Sequence, residues 1–128
     1  MSNHTREYLI NKHFEASIGE PWDFQSKAGQ NKLTGSILAV SDISSSVDWL
    51  LLEVSPFNYQ GNEIKQVVGV NRYKSSQDIY GELLVGNVTT LNFMFTIDGH
   101  ELKDDAVLTE LTDESKFGFL VGSINSVG

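Results

Sequence analysis

Residues 88–97 read VTTLNFMFTI. Leu91, Phe93, Phe95 and Ile97 alternate with Thr90, Asn92, Met94 and Thr96, and that period puts one set on each face of a β-strand. Asp98-Gly99 follows with turn chemistry. A strand with one apolar face needs partners, and the flanking sequence offers them. Glycine recurs at 19, 29, 35, 61, 69, 81, 86, 99, 118 and 122, with short runs rich in Val, Ile, Leu, Phe and Tyr between. Regular turn signals between short apolar runs predict a mainly β domain.

Working outward, residues 116–124 (KFGFLVGSI) read as a hydrophobic strand. Residues 33–40 read as another, with Leu33, Ile37 and Ala39 on the inner face. The continuous apolar run in 47–54 (VDWLLLEV) predicts a strand buried on both faces, ended by Pro56, which cannot donate to a ladder. Gly61-Asn62 is a hairpin signal leading into a β-branched strand over 64–73. A strand near 13–19 follows a frayed arm over 1–12. One helical turn is expected near 77–83 after a Ser75-Ser76-Gln77-Asp78 cap. Residues 104–114 (DDAVLTELTDE) have helical spacing, with Val107, Leu108 and Leu111 on one face and Asp104 and Asp105 at the start, where carboxylates favour the helix dipole and can cap. The predicted fold is a mainly β (α+β) single domain over 1–128: an antiparallel barrel or sandwich of about six to seven strands with one helix in the last third.

A chain of 128 residues with 40% hydrophobic residues can build a core without staples. It has no cysteine, which excludes disulfides and thiolate metal sites. The start, MSNHTREYLINKH, lacks the apolar run of a signal peptide, and the longest apolar stretches, such as 49–52, are too short to span a bilayer; a cytoplasmic protein is expected. Seventeen acids against nine bases give a formal net charge of −8. That balance argues against nucleic acid and anionic membranes as partners and permits a basic protein partner, although acidity also serves solubility alone.

Nothing in the sequence assembles a catalytic centre. His4, His13 and His100 stand outside any H-x-H, H-E-x-x-H or H-x-E setting. Asp98-x-His100-Glu101 reads better as a solvated turn than as a metal or base site. There is no G-x-S-x-G and no phosphate loop, and Gly118-x-x-x-Gly122 lies inside a strand pattern as a packing feature. A paired-carboxylate mechanism stays open because distances are unreadable from sequence. The expectation is a non-enzyme with no cofactor and no metal site.

Two features point to a partner. Residues 19–24, GEPWDF, combine a turn-setting proline with two aromatics. Read structurally, this is a corner in which Trp22 or Phe24 plugs a barrel end while the other faces out; read functionally, Trp22 is an interface anchor. From 98 to 114 the chain carries seven acids, Asp98, Glu101, Asp104, Asp105, Glu110, Asp113 and Glu114, against the single base Lys103. This is either a solvated helix face with its turn or a steering patch for a basic partner.

GEPWDF, the spacing G-x-N-x-L-x-G-x-I (Gly29, Asn31, Leu33, Gly35, Ile37) and the ending E-L-x-x-x-S-K-F-x-x-L-x-G-S-I (from Glu110 to Ile124) resemble small bacterial toxin-immunity proteins. The resemblance covers the two ends and about half the chain. It implies a non-catalytic inhibitor that captures a cognate, basic toxin by charge and excludes its substrate. The expected contact residues are the seven acids and Trp22. The alternatives are a small-ligand-binding β-barrel, with its cavity between strand 88–97 and the late helix, and a structural subunit that lends an edge strand to an assembly; a homo-oligomer stays open.

Overall fold

Six strands form one closed antiparallel barrel in the order β1-β2-β3-β4-β5-β6, each paired with its neighbour in sequence and β6 paired back to β1. They are β1 (His13–Glu20), β2 (Lys32–Val40), β3 (Asp48–Tyr59), β4 (Asn62–Asn71), β5 (Thr89–Thr96) and β6 (Phe117–Val127). This computed structural model describes residues 6–71 and 78–128. The mainly β fold expected from the glycine-punctuated pattern is therefore a meander barrel, and closure removes the edges an open sheet would leave. Among the described residues no strand is left as an edge to lend to an assembly.

The alternation of 88–97 is the key to the interior. Leu91, Phe93 and Phe95 point inward, where they join Phe14, Ala16, Leu33, Ile37, Leu50, Leu52, Val54, Phe57, Ile64, Val67, Leu120 and Ile124 in one buried cluster. Phe57 lies edge-on to both Phe24 and Phe95, with ring centroids 5.4 and 5.5 Å apart, the geometry aromatic quadrupoles favour. Phe95 faces Gly118 across the β5–β6 ladder. A Cβ on Gly118 would lie 2.4 Å from the Phe95 ring, so the glycine spacing in β6 makes room for an aromatic inside the barrel.

Both barrel ends are plugged. At the end where β1 begins, α2 (Ile79–Leu84) inserts Ile79, Tyr80 and Leu83, and a 3-10 turn (Arg6–Leu9) adds Leu9. Arg6 stacks over the Tyr80 ring at 4.3 Å and donates from Nη1 to the Ser41 carbonyl, the Ser41 hydroxyl and the Asp42 carbonyl at 3.1, 3.0 and 3.2 Å, with the Asp48 carboxylate 3.6 Å away. Residues 6–12 are thus not the frayed arm expected over 1–12, because a buried leucine and a shared guanidinium tie them down; residues 1–5 lie outside the described part. At the other end the corner after β1, with a cis Glu20–Pro21 bond, runs into α1 (Phe24–Ala28), and Phe24 is the plug at 1% exposure.

Three further expectations are corrected. Ala39 faces outward rather than inward, because a register shift between Ile37 and Ala39 reverses the alternation. Pro56 does not end its strand: β3 runs through it to Tyr59, and the proline falls in the irregular stretch between Glu53 and Phe57, where a bulge tolerates the missing donor. The helix expected in the last third is present as α3 (Val107–Leu111), but it is shorter than 104–114, with a 3-10 turn before it (Asp104–Ala106) and another after it (Glu114–Lys116), and no carboxylate caps it. The expected end of the 64–73 strand at 72–73, and residues 75–77 of the expected cap before α2, lie outside the described residues.

Candidate functional site

The doubly buried run in β3 needs a cover on its outer side. Leu50 and Leu52 point into the barrel, while Trp49 and Leu51 point out with Ala39, Val68, Val70 and Met94. The segment joining β5 to β6, residues 97–116, lies over these outward residues as a strap and adds Leu102 and Val107, with Phe117 at its far end. The seven acids expected as contact residues are therefore the solvent side of an element whose other side is apolar.

Specific bonds hold the strap. Gln66, facing outward on β4, brackets Leu102 with both ends of its amide: its Oε1 accepts from the Leu102 N–H at 2.6 Å and its Nε2 donates to the Leu102 carbonyl at 3.3 Å. Asn62 Nδ2 donates to the Ile97 carbonyl at 3.0 Å, and the Thr96 hydroxyl donates to the His100 carbonyl at 2.7 Å. Gly99 sits at φ 80°, and a Cβ there would meet the Glu63 carbonyl at 2.5 Å. The turn therefore needs glycine for its handedness and for its closeness to β4.

The acids fall into separate settings. Asp98 accepts from the His100 backbone N–H at 3.0 Å and pairs with His100 Nδ1 at 2.6 Å, while Glu110 Oε1 is 3.5 Å from His100 Nε2. The His100 backbone and side-chain bonds hold the Asp98 carboxyl below its ordinary value. Asp113 accepts from the Ser115 hydroxyl and N–H, and those bonds lower its pKa. Lys116 Nζ lies 4.0 Å from both Glu110 and Asp113. Asp104 and Asp105 border an open groove of about 280 Å³, together with Val40, Asp42, Trp49 and Leu108. Glu114 borders a second one of about 330 Å³ with Val47, Val70, Met94 and Leu111. Glu101 is exposed.

Trp22 is 89% exposed on the opposite side of the corner from Phe24, at the barrel end where β5 passes into the strap. The pairing of one plug with one outward aromatic was legible in GEPWDF; which was which was not. Sequence reasoning also missed Asp42. It lies in the 41–47 loop, 56 positions before the nearest strap acid, yet shares a groove with Asp104 and Asp105. Its carboxylate accepts from the Ser44 N–H and hydroxyl at 3.0 and 3.1 Å, which lowers its pKa. The D-x-S turn signal in DISSS marks the local bonds, but nothing in sequence links that loop to the strap.

Among the described residues no group of three or more His, Cys, Asp or Glu is arranged to hold a metal ion, and no helix is long and apolar enough to cross a membrane. Fold and site define a closed six-stranded meander barrel carrying an acidic strap on its outer wall. No family model, curated protein or solved structure matched this chain in comparison.

Proposed function

We propose that this protein is a non-catalytic immunity protein that binds a cognate bacterial toxin of basic charge and blocks its active site or the approach of its substrate. The observation that carries the reading is the strap: seven acids and one base on its 98–114 stretch, with Asp98, Glu101, Asp104, Asp105, Asp113 and Glu114 all exposed. A predominantly acidic surface of this kind raises the encounter rate with a cationic partner and orients it before close contact. The resemblance of GEPWDF and of the 110–124 ending to toxin-immunity proteins supports it too, and Trp22 at the barrel rim adds an exposed aromatic of the type that anchors interfaces.

The test is co-purification with the product of an adjacent toxin gene, followed by stopped-flow association at several salt concentrations. The on-rate is expected to fall steeply with salt, because screening shortens the reach of the field to about 8 Å at physiological ionic strength. Glu101→Lys with Asp105→Lys should slow association at least tenfold while leaving the melting temperature in place. A salt-independent on-rate that ignores the double reversal would remove the strap from the interface.

A small-ligand-binding barrel is the second reading, favoured by the open groove of about 330 Å³ bounded by Val47, Val70, Met94 and Leu111 beneath the strap. The barrel interior itself is packed with side chains. Saturable binding of an apolar ligand that perturbs Met94 would favour this reading over toxin capture.

A further inference from the structure

The groove between the 41–47 loop and the strap differs from the rest of the acidic surface. Its walls are apolar, from Val40, Leu108 and the Trp49 ring, and its borders carry three carboxylates, Asp42, Asp104 and Asp105, with no cation lining it among the described residues. Asp104 and Asp105 are exposed and come from the strap, while Asp42 comes from the loop. Trp49 is 5% exposed, and its indole Nε1 is buried with no hydrogen-bond partner among the described residues. A buried donor without an acceptor costs free energy that a ligand carrying an acceptor can recover. Apolar walls suit an aliphatic stem, carboxylates on two sides suit a planar cation, and a spare indole N–H suits a carbonyl.

We propose that this groove receives an arginine side chain from an extended segment of a basic protein partner, with the guanidinium between the strap carboxylates and Asp42, the stem along Val40 and Leu108, and a backbone carbonyl of the same segment accepting from Trp49 Nε1. Arginine fits better than lysine. Its fork addresses carboxylates on more than one side, its plane packs on an aromatic wall, and it gives up its hydration more readily than an ammonium. Arg6 bonds the Asp42 carbonyl, not its carboxylate, and is itself held by Ser41, Tyr80 and Asp48. The Asp42 side chain thus keeps acceptor capacity beyond its Ser44 bonds. The proposal rests on the reading of the strap as a face for a basic partner, and it names the point of that face where a single side chain docks.

The test needs no toxin. A blocked pentapeptide with arginine between glycines is titrated into ¹⁵N-labelled protein at physiological salt, with the lysine peptide as the control. The chain has two tryptophans, so two indole N–H signals report, Trp49 at the groove and Trp22 at the barrel rim. The Trp49 signal and the Asp104 and Asp105 amides should shift saturably with the arginine peptide while Trp22 stays still, and the lysine peptide should bind several-fold more weakly. Asp104→Asn with Asp105→Asn should abolish the shifts with the rest of the spectrum unchanged. Trp49→Phe, followed on the Asp104 and Asp105 amides, should weaken binding about fivefold, the scale of one net hydrogen bond. Equal binding of the two peptides, equal shifts of both indoles, or indifference to the asparagine pair would overturn the proposal. Shifts confined to residues 98–101 and 110–114 would overturn the groove and leave the acidic face standing, whereas loss of salt-dependent toxin association would overturn that face whatever the peptide does.

Discussion

The inside of the barrel and the patch under the strap are both apolar and both buried, yet different rules build them. The interior is made by all six strands, each sending in alternate residues, so removing one ring leaves its neighbours around the hole. The patch is made by β2, β3, β4 and β5 on one side and by a single connecting segment on the other, held by Gln66, Asn62 and the apolar contacts of Leu102 and Val107. The interior is therefore expected to fail only with the whole fold, whereas the strap can open locally. Regions held by few contacts occupy the low end of the stability range within one protein.

Truncating each region tests this difference. Phe93→Ala, in the middle of the interior cluster, should cost about 3–5 kcal/mol, and Leu102→Ala, under the strap, about 2 kcal/mol. Urea unfolding measures both. Hydrogen exchange separates their character: Phe93→Ala should raise exchange across all six strands together, while Leu102→Ala should raise it first at residues 97–116. Equal, global acceleration by both variants would mean that strap and barrel are one cooperative unit.

The two regions were unequally legible in the sequence for a physical reason. The interior obeys a local rule, alternation along a strand, and 88–97 displays it in ten consecutive residues. Only irregularities defeated it: the register shift that turned Ala39 outward and the bulge that let β3 pass through Pro56. The patch was visible only as a surplus, the run Trp49-Leu50-Leu51-Leu52 with too many apolar residues for one face. What covered the second face depended on a contact between segments some fifty residues apart, which no local pattern encodes. The candidate site suffered most from this. Its strap acids stand together in sequence and could be named, but Asp42 and Trp49 join them only through the fold.

Proton linkage offers a second separation. Tyr80 plugs the barrel end, where burial, more than any charge nearby, pushes its phenol above the ordinary value of 10.0, against the bond it shares with Ser41. A raised folded-state pKa gives stability that is complete below the unfolded value and is lost as pH climbs through the folded one. The barrel should thus weaken above about pH 10, and Tyr80→Phe should flatten that alkaline limb at the cost of about 1 kcal/mol at neutral pH from the lost hydroxyl bonds to Ser41 and the Trp49 carbonyl. Asp98, in the strap, shifts the other way. Its carboxyl is lowered from 3.8 by the bonds from His100, so its contribution is present above that value and is lost as pH falls below it. Acid should loosen residues 97–116 before the strands, and Asp98→Asn should remove that early step, both followed by exchange-rate profiles from pH 5 down to 3. An acid transition that begins in the strands would place the sensitive carboxylates elsewhere.

The smallest effect expected sits at the corner after β1. Phe24 and Trp22 are two residues apart, and the chain turns between them so that one ring enters the barrel at 1% exposure while the other stands in solvent at 89%. The larger ring is the one left outside, against the usual tendency of apolar surface to leave water. Phe24→Ala should therefore cost about 3 kcal/mol or more, because Phe57 loses its edge-on partner and the barrel end opens. Trp22→Ala should change stability by less than about 0.5 kcal/mol, as surface substitutions do away from caps and buried partners. Thermal melts of the two variants give the contrast directly. A Trp22→Ala variant as destabilised as Phe24→Ala would mean that the indole packs in solution and has only a structural role. A variant of unchanged stability that binds a basic toxin at least tenfold more weakly would make Trp22 an anchor of the interface, and would extend the contact face from the strap to the barrel rim.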